Sequence, residues 1–180
     1  MISAENALTG SIVCLRGLSE GDATAEYAAW LNDPEVNKYL ETRHVTLPEL
    51  RDYIRDKKES PTAILMGIFW KENGRHIGNV KLEPINKEKK SATMGILIGD
   101  KNYWGKGVAT ETTNLVTEYA FSDLKLELIE LGVISENAAA IRVYKKCGFE
   151  TVRVEPKVMD HDGILYDKVV MRKLAPRMRP

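Results

Sequence analysis

The sequence has little cysteine: only Cys14 and Cys147, with no C-x-x-C pair. That excludes a disulfide scaffold and gives no support to a zinc or thioredoxin-like centre. Both thiols are expected to be reduced and buried. An excess of either charge is also missing, since 26 Lys and Arg balance 26 Asp and Glu. A chain without net charge has no general field for polyanions, so no nucleic-acid partner is expected. Long apolar runs are absent too. Ala63 to Trp70 is eight residues, against the roughly 20 that span a bilayer, so no membrane partner is expected. Met1 to Leu8 has neither a basic head nor an apolar stretch, which reads as no secretory signal and a cytoplasmic location. His44, His76 and His161 show no metal-ligand spacing. Each is read as a surface or loop residue, and no metal is expected. Repeats, low-complexity tracts and Pro/Gly/Ser linkers do not occur.

What is present is an ordinary globular mix, 43% hydrophobic and 29% charged over 180 residues, enough for one hydrophobic core. One domain is expected over residues 11–174, with tails at 1–10 and 175–180. Ser11–Arg16 reads as a first strand. Three short helices follow. Asp22 is expected to cap the first, and Asp33 to cap the second with Pro34 at its first position. Thr46-Leu-Pro-Glu49 is a capping box for the third, with Val45 against Leu50 as a staple. Thr62–Trp70 is apolar on both faces and reads as a central strand. Asn73–Gly74 is a hairpin turn leading to a strand at His76–Leu82, and Ala92–Ile98 is the next. In the second half the rhythm changes. Helices at Gly107–Phe121 and Ala138–Cys147 alternate with strands at Leu126–Val133, Phe149–Val154 and Leu165–Leu174. Gly148–Phe149 is a glycine helix stop, and Asp162–Gly163 is a turn. The pattern predicts an α/β fold of the α+β kind with one mixed sheet.

Two segments carry chemistry. In Ile96-Leu-Ile-Gly-Asp-Lys-Asn-Tyr-Trp-Gly-Lys-Gly-Val-Ala-Thr-Glu111 a strand ends, a loop holds two glycines one residue apart, and a helix begins. Glycines let a ligand approach exposed N–H groups, and the helix start adds unpaired N–H groups and its positive dipole end. Such a turn can seat a pyrophosphate. It is neither the dinucleotide G-x-G-x-x-G nor a Walker A loop. In the second segment, Val133 to Phe149, a strand again feeds a helix, with Asn137 at its start and Tyr144 two turns on.

Together these segments resemble the cofactor motifs of the GCN5-related N-acetyltransferases, the GNAT superfamily. Trp104-Gly-Lys-Gly-Val-Ala109 is similar to the Q/R-x-x-G-x-G/A signature, with Trp104 at its first position. Asn137-x-x-Ala140-x-x-x-Tyr144-x-x-x-Gly148-Phe149 is similar to the later helix motif. The order of elements agrees over about residues 11–174. Trp30-Leu-Asn-Asp-Pro-Glu-Val36 and Tyr103 to Glu111 resemble the branch containing the Rim-type ribosomal-protein N-terminal acetyltransferases. Thr93 stands where relatives often carry Glu.

The resemblance implies a GNAT acyl-CoA N-acyltransferase fold and acetyl-CoA as co-substrate. Its pyrophosphate would lie over Trp104, Gly105, Lys106, Gly107, Val108, Ala109 and Thr110. Its pantetheine would lie along the strand edge at Leu97 and Ile98, with a bulge expected at Gly95. Asn137 would bond the cofactor arm. Tyr144 would contact the cofactor too and, as the catalytic residue, protonate the departing thiolate. Glu83, Asp100 and Glu111 are positional candidates for the base. The acceptor is expected to be a primary amine of a small metabolite, such as an amino sugar or nucleotide-linked amino sugar, attacking directly in a ternary complex. Residues Asp33–Arg55 and Asp160–Gly163 would shape its site. N-terminal acetylation of a ribosomal protein is the alternative, and a non-catalytic CoA-binding module is the alternative of another class. Homodimers are common in the resembled branch.

Overall fold

The computed structural model describes residues 7–40, 44–161 and 163–178. In chain order the elements are β1 (Leu8–Thr9), β2 (Val13–Gly17), α1 (Ala25–Asn32), α2 (Leu47–Glu59), β3 (Ile64–Trp70), β4 (His76–Asn86), β5 (Ser91–Ile98), α3 (Val108–Ser122), β6 (Leu128–Ile134), α4 (Ala138–Lys146), β7 (Glu150–His161) and β8 (Ile164–Leu174). They form one eight-stranded sheet in the order β1-β2-β3-β4-β5-β6-β8-β7. Every neighbouring pair is antiparallel except β5 and β6, which are parallel. This is the mixed sheet expected from the change of rhythm between the two halves.

The sheet is buried on both faces where β3 crosses its centre, because successive side chains of a strand point to opposite sides. Met66 and Ile68 join Val13, Val80, Val116, Ile129 and Leu131 in the core beneath α3 and α4. Leu65 joins Tyr27, Trp30, Leu50 and Ile54 in a second core beneath α1 and α2. The α2 capping box forms as the sequence reads. Thr46 N donates to Glu49 Oε2 at 2.8 Å, and Glu49 N donates to Thr46 Oγ1 at 3.4 Å. Val45 packs in the second core with Leu50. At the end of α4, Gly148 takes φ +84. Its amide donates to Lys145 O at 3.0 Å, and that of Phe149 donates to Tyr144 O at 3.0 Å. That pair of bonds is the Schellman closure.

Several expectations are corrected. Thr24, not Asp22, caps α1, with Tyr27 N donating to its Oγ1 at 3.1 Å. Asp22 is held instead by both guanidinium nitrogens of Arg16, at 3.0 and 2.7 Å. Burial raises its carboxyl, but the bonds from Arg16 and Ser19 prevail and bring it to about 2. Asp33–Pro34 opens no α-helix. Asp33 caps only a turn, accepting from Glu35 N at 2.8 Å, and Asn37–Tyr39 is a short 3-10 helix. The buried Asn37 explains this, because its amide Nδ2 is spent on Leu31 O at 2.8 Å. His76 is no surface residue. It sits among the rings of Tyr27, Trp30 and Phe69, with Nε2 2.8 Å from Gly78 O, and burial lowers its pKa. Gly95 makes no bulge and pairs in register with Lys81. The irregularity lies on β4 between Leu82 and Ile85, where Pro84 has no amide to give the ladder. Structure also extends past the expected bounds. Leu8–Thr9 pairs with β2, and Ala175 is buried, its amide bonded to Glu127 O. Residues 1–6, 41–43, 162 and 179–180, on which parts of the tail, acceptor-segment and turn expectations fall, lie outside the described residues.

Candidate active site

The parallel pair β5–β6 is in register only at Ser91↔Leu128, Ala92↔Ile129 and Thr93↔Glu130. Beyond Thr93, β5 stays paired with β4 out to Ile98, and β6 stays paired with β8 out to Ile134. Each strand therefore keeps its outer neighbour while the two part from one another. The result is a slot open at their C-terminal ends, the end of a parallel pair where ligands commonly sit.

Backbone alternation decides which groups of β5 face this slot. Gly99 N donates to Ile77 O on the β4 side at 2.9 Å. Leu97 and Gly95 then share that direction, and Ile96 and Ile98, beyond the last β5–β6 pair, present N–H and C=O to the slot. The Trp104 indole agrees, donating from Nε1 to Ile98 O at 2.8 Å. Side chains divide likewise. Ile96 and Ile98 pack in the α3/α4 core, and Leu97 packs with the α1/α2 cluster. Of the two residues first named on this edge, Ile98 offers its backbone to the slot and Leu97 does not. Ile96 is the partner that sequence reading passed over, and only the register reveals it.

At the head of the slot lies the glycine loop. Gly105 has φ +73 and Gly107 φ +83, conformations that side-chain-bearing residues rarely adopt. Gly107 is the N-cap of α3 and supplies no side-chain acceptor. The first-turn amides of Val108, Ala109 and Thr110 are left for a ligand. Val108 can act only through its amide, since its side chain is 2% exposed in the core. Lys106 lies over the Tyr103 and Trp70 rings, 5.2 and 5.9 Å from their centroids. It forms no ion pair among the described residues, leaving its charge for phosphate. Cys147 Sγ lies 3.6 Å from Thr110 O and ties this turn to α4.

The second helix start is built differently. Asn137 caps α4, its Oδ1 accepting from Ala140 N at 3.1 Å. The cap fixes the carboxamide and leaves Nδ2 without a partner among the described residues. Two turns on, Tyr144 is 7% exposed and packs 5.8 Å from Phe149. Burial pushes its hydroxyl up to about 12. No described residue hydrogen-bonds that hydroxyl.

The three carboxylates considered as bases are engaged elsewhere. Glu111 accepts from the amides of Ser11, Ile12 and Val13 at 2.7, 2.9 and 2.9 Å. Burial raises its pKa, but these bonds outweigh that and the net shift is downward. It pins α3 to the start of β2. Asp100 is buried and builds the turn after β5. Its Oδ1 accepts from Asn102 N and Nδ2 at 3.0 and 2.9 Å, and its Oδ2 lies 3.1 Å from Arg75 Nε. Glu83 lies between Lys57 at 2.6 Å and Lys81 at 3.6 Å. A separate shallow pocket of about 290 Å³, lined by Cys14, Arg16, Phe69, Trp70, Lys71 and Gly74, shares no residue with the slot.

A helix start without a side-chain cap, a free strand edge and an amide donor at the next helix fit a long ligand with pyrophosphate at one end and amides along its arm. Residues 13–150 match the acetyltransferase (GNAT) domain family. The chain is a GNAT acetyltransferase. A spermidine N(1)-acetyltransferase of Vibrio cholerae is 40% identical over 139 residues, covering 77% of this chain and 79% of that protein. A probable N-acetyltransferase of Bacillus subtilis is 35% identical over 123 residues, covering 68% and 67%. Among solved structures, a spermidine N-acetyltransferase from Vibrio cholerae in complex with CoA and spermine superposes with a TM-score of 0.84 at 26% identity. It covers 92% of this chain and 96% of its own. The GNAT chain is thus an acetyl-CoA-dependent acetyltransferase, with acetyl-CoA as co-substrate.

Proposed function

We propose that this GNAT enzyme transfers the acetyl group of acetyl-CoA to a primary amine of a linear polyamine. The observation that carries the acceptor is the 39–40% identity to spermidine N(1)-acetyltransferases of Escherichia coli and Vibrio cholerae. The polyamine replaces the amino sugar favoured from the sequence alone. Resemblance to the Rim-type branch rests on Trp30–Val36 and Tyr103–Glu111, and the relatives named above add nothing to it.

In this reading, Gly105 to Thr110 and Lys106 hold the pyrophosphate, and Ile96 and Ile98 pair with the pantetheine. Asn137 Nδ2 donates to a pantetheine carbonyl. An outward N–H of β5 stabilises the oxyanion of the tetrahedral intermediate. Tyr144 stays protonated at any physiological pH, since burial holds it near 12. Transfer of its proton to a thiolate whose conjugate acid lies near 8.5 would be uphill by about 5 kcal/mol. Tyr144 therefore stabilises the leaving thiolate by a hydrogen bond, and the thiolate takes its proton from solvent. The test is a panel of spermidine, spermine, glucosamine and a peptide N-terminus, read by thiol release. Spermidine or spermine is expected to have the highest kcat/KM, at least tenfold above the others. A preference for the amino sugar or the peptide would overturn the polyamine reading.

A further inference from the structure

A protonated alkylamine, with a pKa near 10, must shed a proton to form an amide bond. The three carboxylates singled out by sequence are tied to backbone amides, a turn or lysines. The strand register brings a fourth to the slot. Thr93↔Glu130 is the last pair before β5 and β6 part. Neighbouring strands lie about 4.8 Å apart, so Glu130 stands beside Thr93 at the neck. Ile129 and Leu131 are buried in the α3/α4 core, and alternation turns Glu130 to the opposite face. The next residues of the two strands on that face are Gly95 and Gly132, and neither carries a side chain of its own. Lys81 methylenes lie over Gly95, and those of Lys168 over Gly132.

Glu130 is only lightly held. Its Oε1 lies 3.3 Å from Arg153 Nη2, but Arg153 is claimed more closely by Glu155, at 2.7 Å from Nε. Lys168 also goes to Glu155, at 3.0 Å. Among the described residues Glu130 Oε2 has no hydrogen-bond or ion-pair partner. The carboxylate is 35% exposed, which leaves it a route to water.

We propose that Glu130 is the carboxylate that takes up the acceptor's proton. The ammonium is drawn to Glu130 and loses one proton to solvent. The neutral nitrogen attacks the thioester carbonyl carbon and forms the C–N bond. Glu130 accepts the second proton as the nitrogen becomes cationic in the tetrahedral intermediate. The C–S bond then breaks, and the thiolate leaves and is protonated. The sum is acetyl-CoA and ammonium giving N-acetylamine, CoA thiol and one proton. This assignment rests on the family's acetyl transfer and holds for any alkylamine acceptor.

The test is Glu130→Gln beside Arg153→Met, each assayed on whichever amine of the panel the wild type prefers. Failure of the polyamine reading then appears in the wild type, separately from any failure of Glu130. Glu130→Gln keeps the shape and should lower kcat by about 100-fold or more, the usual scale of general-base help. Its KM for acetyl-CoA and its acetyl-CoA-induced rise in Tm should stay at wild-type values. Arg153→Met breaks the same ion pair but keeps the carboxylate, and should stay within about threefold of wild type by this reasoning. If Glu130→Gln does not fold, Glu130→Asp, which retracts the carboxylate, should be at least tenfold slower. Wild-type turnover in Glu130→Gln, or equal losses in Glu130→Gln and Arg153→Met, would overturn the proposal.

Discussion

The enzyme uses the strand-to-helix turn twice, and the two copies differ where it matters. After β5 the helix start is capped by a left-handed glycine with no side chain to give. After β6 it is capped by Asn137, whose oxygen satisfies Ala140. An uncapped start leaves several N–H groups and the positive dipole end for an anion. A start capped by a carboxamide spends its acceptor internally and keeps one neutral donor for a neutral carbonyl. On the proposed reading of the site, one parallel pair thus presents a charge-binding end and an amide-binding end to the two chemistries of a single co-substrate.

The largest effect expected from breaking this comparison comes at the glycine cap. A Cβ at Gly107 would meet only Ile12 Cδ1, at 3.8 Å, so space is not the obstacle. The obstacle is φ +83, which a β-branched residue resists. Gly107→Val should remain folded but swing the loop amides out of line, weakening acetyl-CoA by about 100-fold, roughly 2.7 kcal/mol. Calorimetry on the folded variant measures this, and an unchanged affinity would remove the loop from the cofactor site.

Local signals made much of this site legible. Gly105-x-Gly107, the Thr46–Glu49 box and Gly148–Phe149 each depend on residues within one turn, so their geometry could be read from spacing. Partnership across the sheet could not. The outward turn of Ile96, the parting of β5 and β6 after Thr93, and the neighbourhood of Glu130 all follow from a register between segments distant in sequence. The Asp33–Pro34 start looked like a helix because its local pattern is a good one. It lost to the buried Asn37, whose amide bonds Leu31 O. Glu111 looked like a surface charge or a base, and nothing near it in sequence reveals the three amides of residues 11–13 that it holds.

An intermediate effect is expected at Tyr144, on the helix opened by the Asn cap. Tyr144→Phe keeps the ring against Phe149 and deletes the hydroxyl proposed to hydrogen-bond the leaving thiolate. Loss of a bond worth about 1.4 kcal/mol costs about tenfold in kcat, with little change in acetyl-CoA affinity. The sign with pH follows from the raised pKa. A phenol near 10 would lose its proton, and the wild type its advantage, as pH rises past 10. Held near 12, Tyr144 should keep the tenfold advantage unchanged from pH 6 to 10. Equal kcat in both proteins over that range would show that Tyr144 only packs. An advantage that fades by pH 10 would show a hydroxyl not held up by burial.

The smallest effect, and the sharpest on the comparison, separates the two tasks of Asn137. Asn137→Asp keeps an oxygen for Ala140 N, and its negative charge suits a helix N-terminus. It deletes Nδ2 as a donor. Asn137→Ala deletes both. If the cap and the donor are distinct, Asn137→Asp should hold its Tm while acetyl-CoA affinity falls about fivefold, roughly 1 kcal/mol for one neutral hydrogen bond. Asn137→Ala should show the same loss of affinity together with about 1 kcal/mol of lost stability from the missing cap. Denaturation and calorimetry on both variants give the two readouts independently. Wild-type affinity in Asn137→Asp would mean that Nδ2 never meets the co-substrate. In that case the β6–α4 turn serves the fold alone, and the division of labour between the two helix starts is lost.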